Sequence, residues 1–360
     1  MALVIKSDFH KLQNRALSFL LIIMVILSVF VGGISDVFAQ DLKQPTQQPT
    51  QQPNCKEGAE FHRAFWPNTD FSNCTASLLE IRSGGPGKDG IPAIDAPTFI
   101  PAGDEDSLAA NEPVISIAIK GEARAWPLRI LTWHEIVNDN LGGVPIAVTY
   151  CPLCNAAVIF ERKLDNQILN FGTTGNLRNS DLVMYDRQTE SWWQQYTGEA
   201  LFGSLAGQHL TMLPARLESW AQFLERHPEG SVLQPPQPIR RAYGNNPYVG
   251  YDTSRFPFLF SGQVPDNIAP LARVIVVDGK AWSLEFIQAQ ERFESDDFVI
   301  SWRAGQNSAL DTSRLEDGRD VGTITVQKRA ESGVLIDAVH HVTFAFVFHA
   351  FNPETPITTL

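Results

Sequence analysis

Only four of the 360 residues are cysteines, and lysine and arginine together are outnumbered by acids, 28 to 40. The resulting net charge of −12 argues against a nucleic-acid backbone or an anionic membrane surface as main partner. The chain lacks a Gly-x-Ser-x-Gly elbow and a His-Glu-x-x-His pair, so neither a serine hydrolase nor a zincin has support. Its glycines are not followed by the Lys-Ser or Lys-Thr of a phosphate-cradling loop, which argues against nucleotide binding. Asn155, not a histidine, immediately follows Cys154, which removes covalent haem attachment, and no second Cys-x-x-Cys exists to close a four-sulfur zinc site.

What is present begins with a targeting segment. Lys6, Lys11 and Arg15 precede an almost continuously apolar run over 16–34, and Val37-Phe38-Ala39 offers a cleavage site before Gln40. Residues 1–39 therefore read as a signal peptide or, given the length of the run, a retained N-terminal membrane anchor. Both place the remainder outside the cytoplasm: secreted, periplasmic or held at the outer face of the membrane. Beyond this segment no contact with a membrane is expected. Residues 40–54 carry a Gln/Pro repeat without apolar anchors, a linker. The folded part is expected over 55–360, with a Pro/Gly-punctuated stretch at 234–247 as a candidate division between two lobes.

Alternating and apolar runs predict strands over 114–119, 123–126, 145–150, 157–162, 168–171, 182–185, 274–277, 298–302, 322–327 and 342–348. Pro127 opens a helix expected to run to about Asn138, with Ile130, His134 and Val137 on one face. A second helix is expected over 217–226, stopped by Pro228. Strands outnumber helices without strand–helix alternation, so the class is α+β with a β-dominated core.

The cysteines divide into two pairs. Cys55 and Cys74 flank a loop-rich segment, and an even cysteine count in an exported chain reads as a structural disulfide there. Cys151-Pro152-Leu153-Cys154 permits a reactive thiol pair, two ligands to one metal, or a small structural clip. The following Ala156-Ala157-Val158-Ile159-Phe160 reads as strand rather than helix, unlike a thioredoxin-type site and closer to a metal-binding knuckle. A metal there would be copper(I) or zinc, with His134 as the leading third ligand and His209 as a weaker one. Glu135 is then a carboxylate placed to orient the His134 ring, or is solvated. In a redox version Cys151 and Cys154 are nucleophile and resolving thiol, with His134 beside them. Arg178, Asp181, Tyr185, Asp186, Arg187 and Trp192 form a candidate ligand pocket, the ordinary alternative being turn chemistry with Arg178 and Asp181 paired. A different class of function, an anchored binding or scaffold protein with the Cys151–Cys154 pair as a clip, stays open beside these, and whether the protein is an enzyme is undecided.

Three stretches resemble one family. They are Trp133-His134-Glu135-Ile136-Val137-Asn138-Asp139, Val148-Thr149-Tyr150-Cys151-Pro152-Leu153-Cys154, and the run from Leu182 through Tyr185-Asp186-Arg187 to Trp192-Trp193-Gln194. Together they are similar to the family called domain of unknown function 3179, over about Val114 to Thr355. The family is defined by sequence, so the resemblance implies no reaction. It does imply that the His134 segment, the cysteine turn and the Tyr-Asp-Arg segment belong to one domain.

Overall fold

The computed structural model describes residues 54–55, 57–295 and 298–360. The expected leader or anchor and almost all of the linker lie outside them. The described residues form one compact unit.

The architecture is mixed α+β, with few short helices around a curled, propeller-like core of four- and five-stranded sheets. Its organisation rests on an internal duplication. The first copy starts with the hairpin Pro113–Ile119 and Glu122–Pro127, then helix Leu128–His134, then strands Ile136–Leu141, Val144–Cys151 and Ala156–Glu161. The second starts with hairpin Arg273–Val277 and Lys280–Ser283, helix Leu284–Gln290, then strands Arg292–Ser295, Phe298–Arg303 and Thr323–Arg329. Each copy closes on two strands, a helix and a last short strand: Met212–Leu213, Arg216–Ser219, Trp220–Arg226 and Ser231–Leu233 in the first, Leu335–Asp337, His341–Phe344, Ala345–Phe351 and Ile357–Thr358 in the second.

The pairing repeats as well. Ser219 lies antiparallel to Pro113 as Phe344 does to Arg273. Val232 lies parallel to Ala125 as Ile357 does to Ala281. Ala125-Trp126-Pro127-Leu128 echoes Ala281-Trp282-Ser283-Leu284, and His227-Pro228-Glu229 echoes Asn352-Pro353-Glu354. After each copy's first helix a glutamate takes positive φ, 58° at Glu135 and 55° at Glu291. The turn residue Lys120 (φ 50°) with Gly121 matches Asp278 (φ 47°) with Gly279, the left-handed pair that a two-residue hairpin requires. Residues 162–211 have no counterpart in the second copy and include the strands Phe171–Arg178, Asp181–Asp186, Trp192–Gln194 and Ala200–Phe202.

Several expectations need correction. The helix from Pro127 ends at His134, because Glu135 in the left-handed region redirects the chain into the strand Ile136–Leu141. Val137 therefore sits on a strand, not on the helical face. Residues 217–219 are strand, with Ser219 as the cap whose side chain accepts from Gln222 N before helix Trp220–Arg226. The run 342–348 is strand only to Phe344 and then helix Ala345–Phe351. A continuous apolar run carries no period that separates the two states. The turn chemistry expected between Arg178 and Asp181 is present, as a hairpin between two strands that turns at Asn179 and Ser180, both at positive φ.

The disulfide is formed between Cys55 and Cys74, Cα atoms 5.6 Å apart. It closes a loop that places Trp66 and Phe71 against Trp192, with ring centroids 5.1 and 5.3 Å away. These rings, with Phe202, make a second core beside the main one.

Candidate metal centre

The main core surrounds the cysteine turn. Strand Val144–Cys151 runs through the middle of its sheet, between Ile136–Leu141 and Ala156–Glu161, so its end and the following turn are buried. Cys154 N donates to Cys151 O at 3.2 Å and Asn155 N to Pro152 O at 3.2 Å, two successive turns ending on Asn155 at φ 50°. Neighbouring elements fix the turn from outside. Cys154 O accepts from Thr343 Oγ1 at 2.8 Å and from Phe344 N at 3.2 Å, both in the second copy. Leu153 O accepts from Tyr251 Oη at 3.0 Å.

Cys151 and Cys154 are free thiols, both buried. A carboxylate oxygen of Asp181, the first residue after the Asn179-Ser180 turn, lies within 4.8 Å of both sulfurs. Asp181 is wholly buried. Its Oδ2 accepts from Gln194 Nε2 at 2.6 Å and from Tyr196 N at 2.9 Å, while Oδ1 has no hydrogen-bond partner. Both sulfurs lie near Ser180 O, at 3.8 Å from Cys151 and 3.4 Å from Cys154. Tetrahedral zinc places two thiolate sulfurs about 3.8 Å apart, so a shift of about 1 Å at most closes this trio on one ion.

Glu135 is the fourth acidic group. It is 7% exposed, and no hydrogen bond or ion pair of its side chain is found among the described residues. With Cys151 and Tyr248 it lines a cavity of about 100 Å³. The opposite wall comes from residues 84–91 packed on the bulged strand Phe171–Arg178. That approach requires Gly175, at φ 75°, where a Cβ would stand 2.0 Å from Pro86 O.

Electrostatics follow from burial without a compensating base. Desolvation raises both thiol pKa values, with Asp181 and, for Cys151, Glu135 adding to it. Asp181 is pushed up to about 6 by burial, against its hydrogen bonds. Glu135 is pushed up to about 8 by burial and by Asp181. Each group resists ionising alone, and a bound cation reverses that preference.

The other candidates fall elsewhere. His134 is not part of the trio. Its Nδ1 lies 2.8 Å from Pro92 O and its Nε2 2.7 Å from Tyr243 Oη, so both ring nitrogens are engaged away from the sulfurs. The helix ending at His134 and the kink at Glu135 send these neighbours to different sides: His134 lines a cleft and Glu135 the cavity beside Cys151. Glu135 thus neither orients the His134 ring nor is solvated. His209 is exposed, in a bridge to Glu199, outside the trio. Arg178 and Asp181 face each other in register but do not pair; Arg178 Nε donates to Glu80 at 2.7 Å. Tyr185 Oη donates to Asp89 at 2.5 Å, Asp186 accepts from Trp193 Nε1 at 2.9 Å, and Arg187 pairs with Asp95. Trp192 belongs to the second core. Of the six candidate pocket residues only Asp181 reaches the cysteines.

Fold and site together define a β-dominated α+β protein, built on an internal duplication, with a buried centre of two thiols and a carboxyl. The chain belongs to the DUF3179 family, described as protein of unknown function, whose profile matches residues 88–355. No curated protein and no solved structure matches it.

Proposed function

We propose that Cys151, Cys154 and Asp181 bind one divalent metal ion of the zinc type. The observation that carries this reading is the convergence of three buried ligand atoms, two sulfurs and one oxygen, within 4.8 Å. Two further points favour metal over thiol–disulfide exchange. Burial raises both thiol pKa values, the reverse of what an attacking thiolate needs, and no helix N-terminus follows the turn to lower them. Among ions, copper(I) prefers an all-soft set, whereas zinc accepts thiolate and carboxylate together. The cavity beside Cys151 leaves room for a small fourth ligand.

Metal content measured by mass spectrometry on protein prepared with zinc, copper(I) and no chelator tests this. One zinc per chain is expected in the wild type, falling below a tenth in Cys151→Ser/Cys154→Ser. Metal-free wild type whose Cys151 and Cys154 are found linked by a disulfide would replace the metal reading with a redox or clip role. The centre is proposed for a protein exported from the cytoplasm, where an unpaired Cys-x-x-Cys would otherwise tend to oxidise.

A further inference from the structure

Gly90-Ile91-Pro92 and His134-Glu135 each divide two spaces. Ile91 and Glu135 face the small cavity at Cys151, while Gly90, Pro92 and His134 line a solvent-open cleft of about 900 Å³. That volume suits an organic molecule rather than a lone ion. The cleft's far wall is the segment from Gln234 to Tyr243, fastened to the floor by the Tyr243–His134 hydrogen bond and by stacking of the two rings at 5.8 Å.

Charge is distributed unevenly across the cleft. The acidic wall is partly compensated: Asp95 accepts from Arg187 and from Asn138 Nδ2 at 2.8 Å, and Asp89 accepts from Tyr185 with the same Arg187 3.9 Å away, one guanidinium for two carboxylates. Arg240 and Arg241 on the opposite wall form no ion pair among the described residues. Arg241 lies 5.9 Å from the Trp133 ring, a contact that leaves its donors available. In a chain of net charge −12, two adjacent uncompensated guanidinium groups on the wall of a cleft are a local anion attractor. Pro92, Pro97, Pro236 and Pro238 supply apolar surface beside them.

We infer that this cleft binds an organic anion, its carboxylate or phosphate held by Arg240 and Arg241 and its apolar body lying along the proline-rich walls. The site is separate from the proposed metal centre, so occupancy of one does not require the other.

Isothermal titration of the full chain with phenyl phosphate, benzoate, benzyl alcohol and benzylamine tests the inference. Saturable binding is expected for the two anions, at least tenfold weaker binding for benzyl alcohol, and none for benzylamine. Arg240→Gln/Arg241→Gln is expected to weaken phenyl phosphate by roughly 10- to 100-fold while unfolding at the wild-type temperature. Tyr243→Phe, which keeps the ring and releases the anchor, is expected to weaken it less. Zinc-loaded and chelator-treated protein should bind phenyl phosphate alike, which keeps this test apart from that of the metal centre. Equal affinity for alcohol and anions, an unchanged affinity in the folded double-glutamine variant, or no binding of either anion at about 10 mM overturns the inference.

Discussion

Replacing Asp181 by asparagine should change stability in opposite directions with and without metal. The asparagine keeps a carbonyl oxygen for Gln194 Nε2 and Tyr196 N, so the packing is largely preserved. What disappears is a wholly buried ionisable group whose pKa is raised from 3.8 to about 6. In the metal-free fold this raised value means that the native state binds more protons than the unfolded chain between those two pH values. Stability is therefore lost as pH rises through that window, and the loss is complete by pH 8. Two units correspond to about 3 kcal/mol. In chelator at pH 8, Asp181→Asn should thus be more stable than wild type by up to about 3 kcal/mol, and near pH 4 by almost nothing. With excess zinc the sign reverses, because each tenfold loss of affinity removes about 1.4 kcal/mol of ligand-linked stability. Urea unfolding at pH 4 and pH 8, with EDTA and with zinc, reads all four values. A variant less stable than wild type in EDTA at pH 8, or one with the full zinc increment, would refute the reasoning.

Three other perturbations separate the layers of the structure. Glu135→Gln should flatten the pH dependence of the metal-free protein: a pKa raised from 4.5 to about 8 makes the wild type lose stability, by a few kcal/mol, as pH climbs between them. Parallel stability–pH curves for the two proteins would mean that Glu135 is solvated. Cys55→Ser/Cys74→Ser should lower stability by about 3 kcal/mol, since the bond closes a loop of this length, and leave zinc content unchanged; loss of zinc would show that the two cysteine pairs are not independent. Gly175→Ala should destabilise by more than about 2 kcal/mol, as its Cβ meets Pro86 O and its φ is left-handed, with thermal unfolding as the readout. A neutral result would mean that the 84–91 segment yields readily.

Local chemistry made part of this legible from the chain. The strand 114–119 and its return were readable because a Lys-Gly turn separates two β-type runs. The disulfide was readable because cysteine count and spacing restrict the pairings. The cysteine turn was readable as a site because two sulfurs at that spacing must share one turn. The duplication was not legible. Its copies agree in topology, but only short stretches such as Ala125-Trp126 and Ala281-Trp282 agree in residue, and a 50-residue insertion interrupts one copy.

The site itself divides along the same line. Sequence alone determined that Cys151 and Cys154 lie together and that strands flank them, because covalent spacing and β-type side chains act over a few residues. Only the tertiary structure decided which side chain joins the two sulfurs. His134 was nearer along the chain, but Glu135 at φ 58° turns it away and its ring is held by Pro92 and Tyr243. Asp181, from an inserted sheet, arrives instead because the Asn179-Ser180 turn packs onto the sulfurs. The direction of a side chain at an element's end depends on one backbone dihedral and on what packs against it, and neither is written in the spacing of residue types.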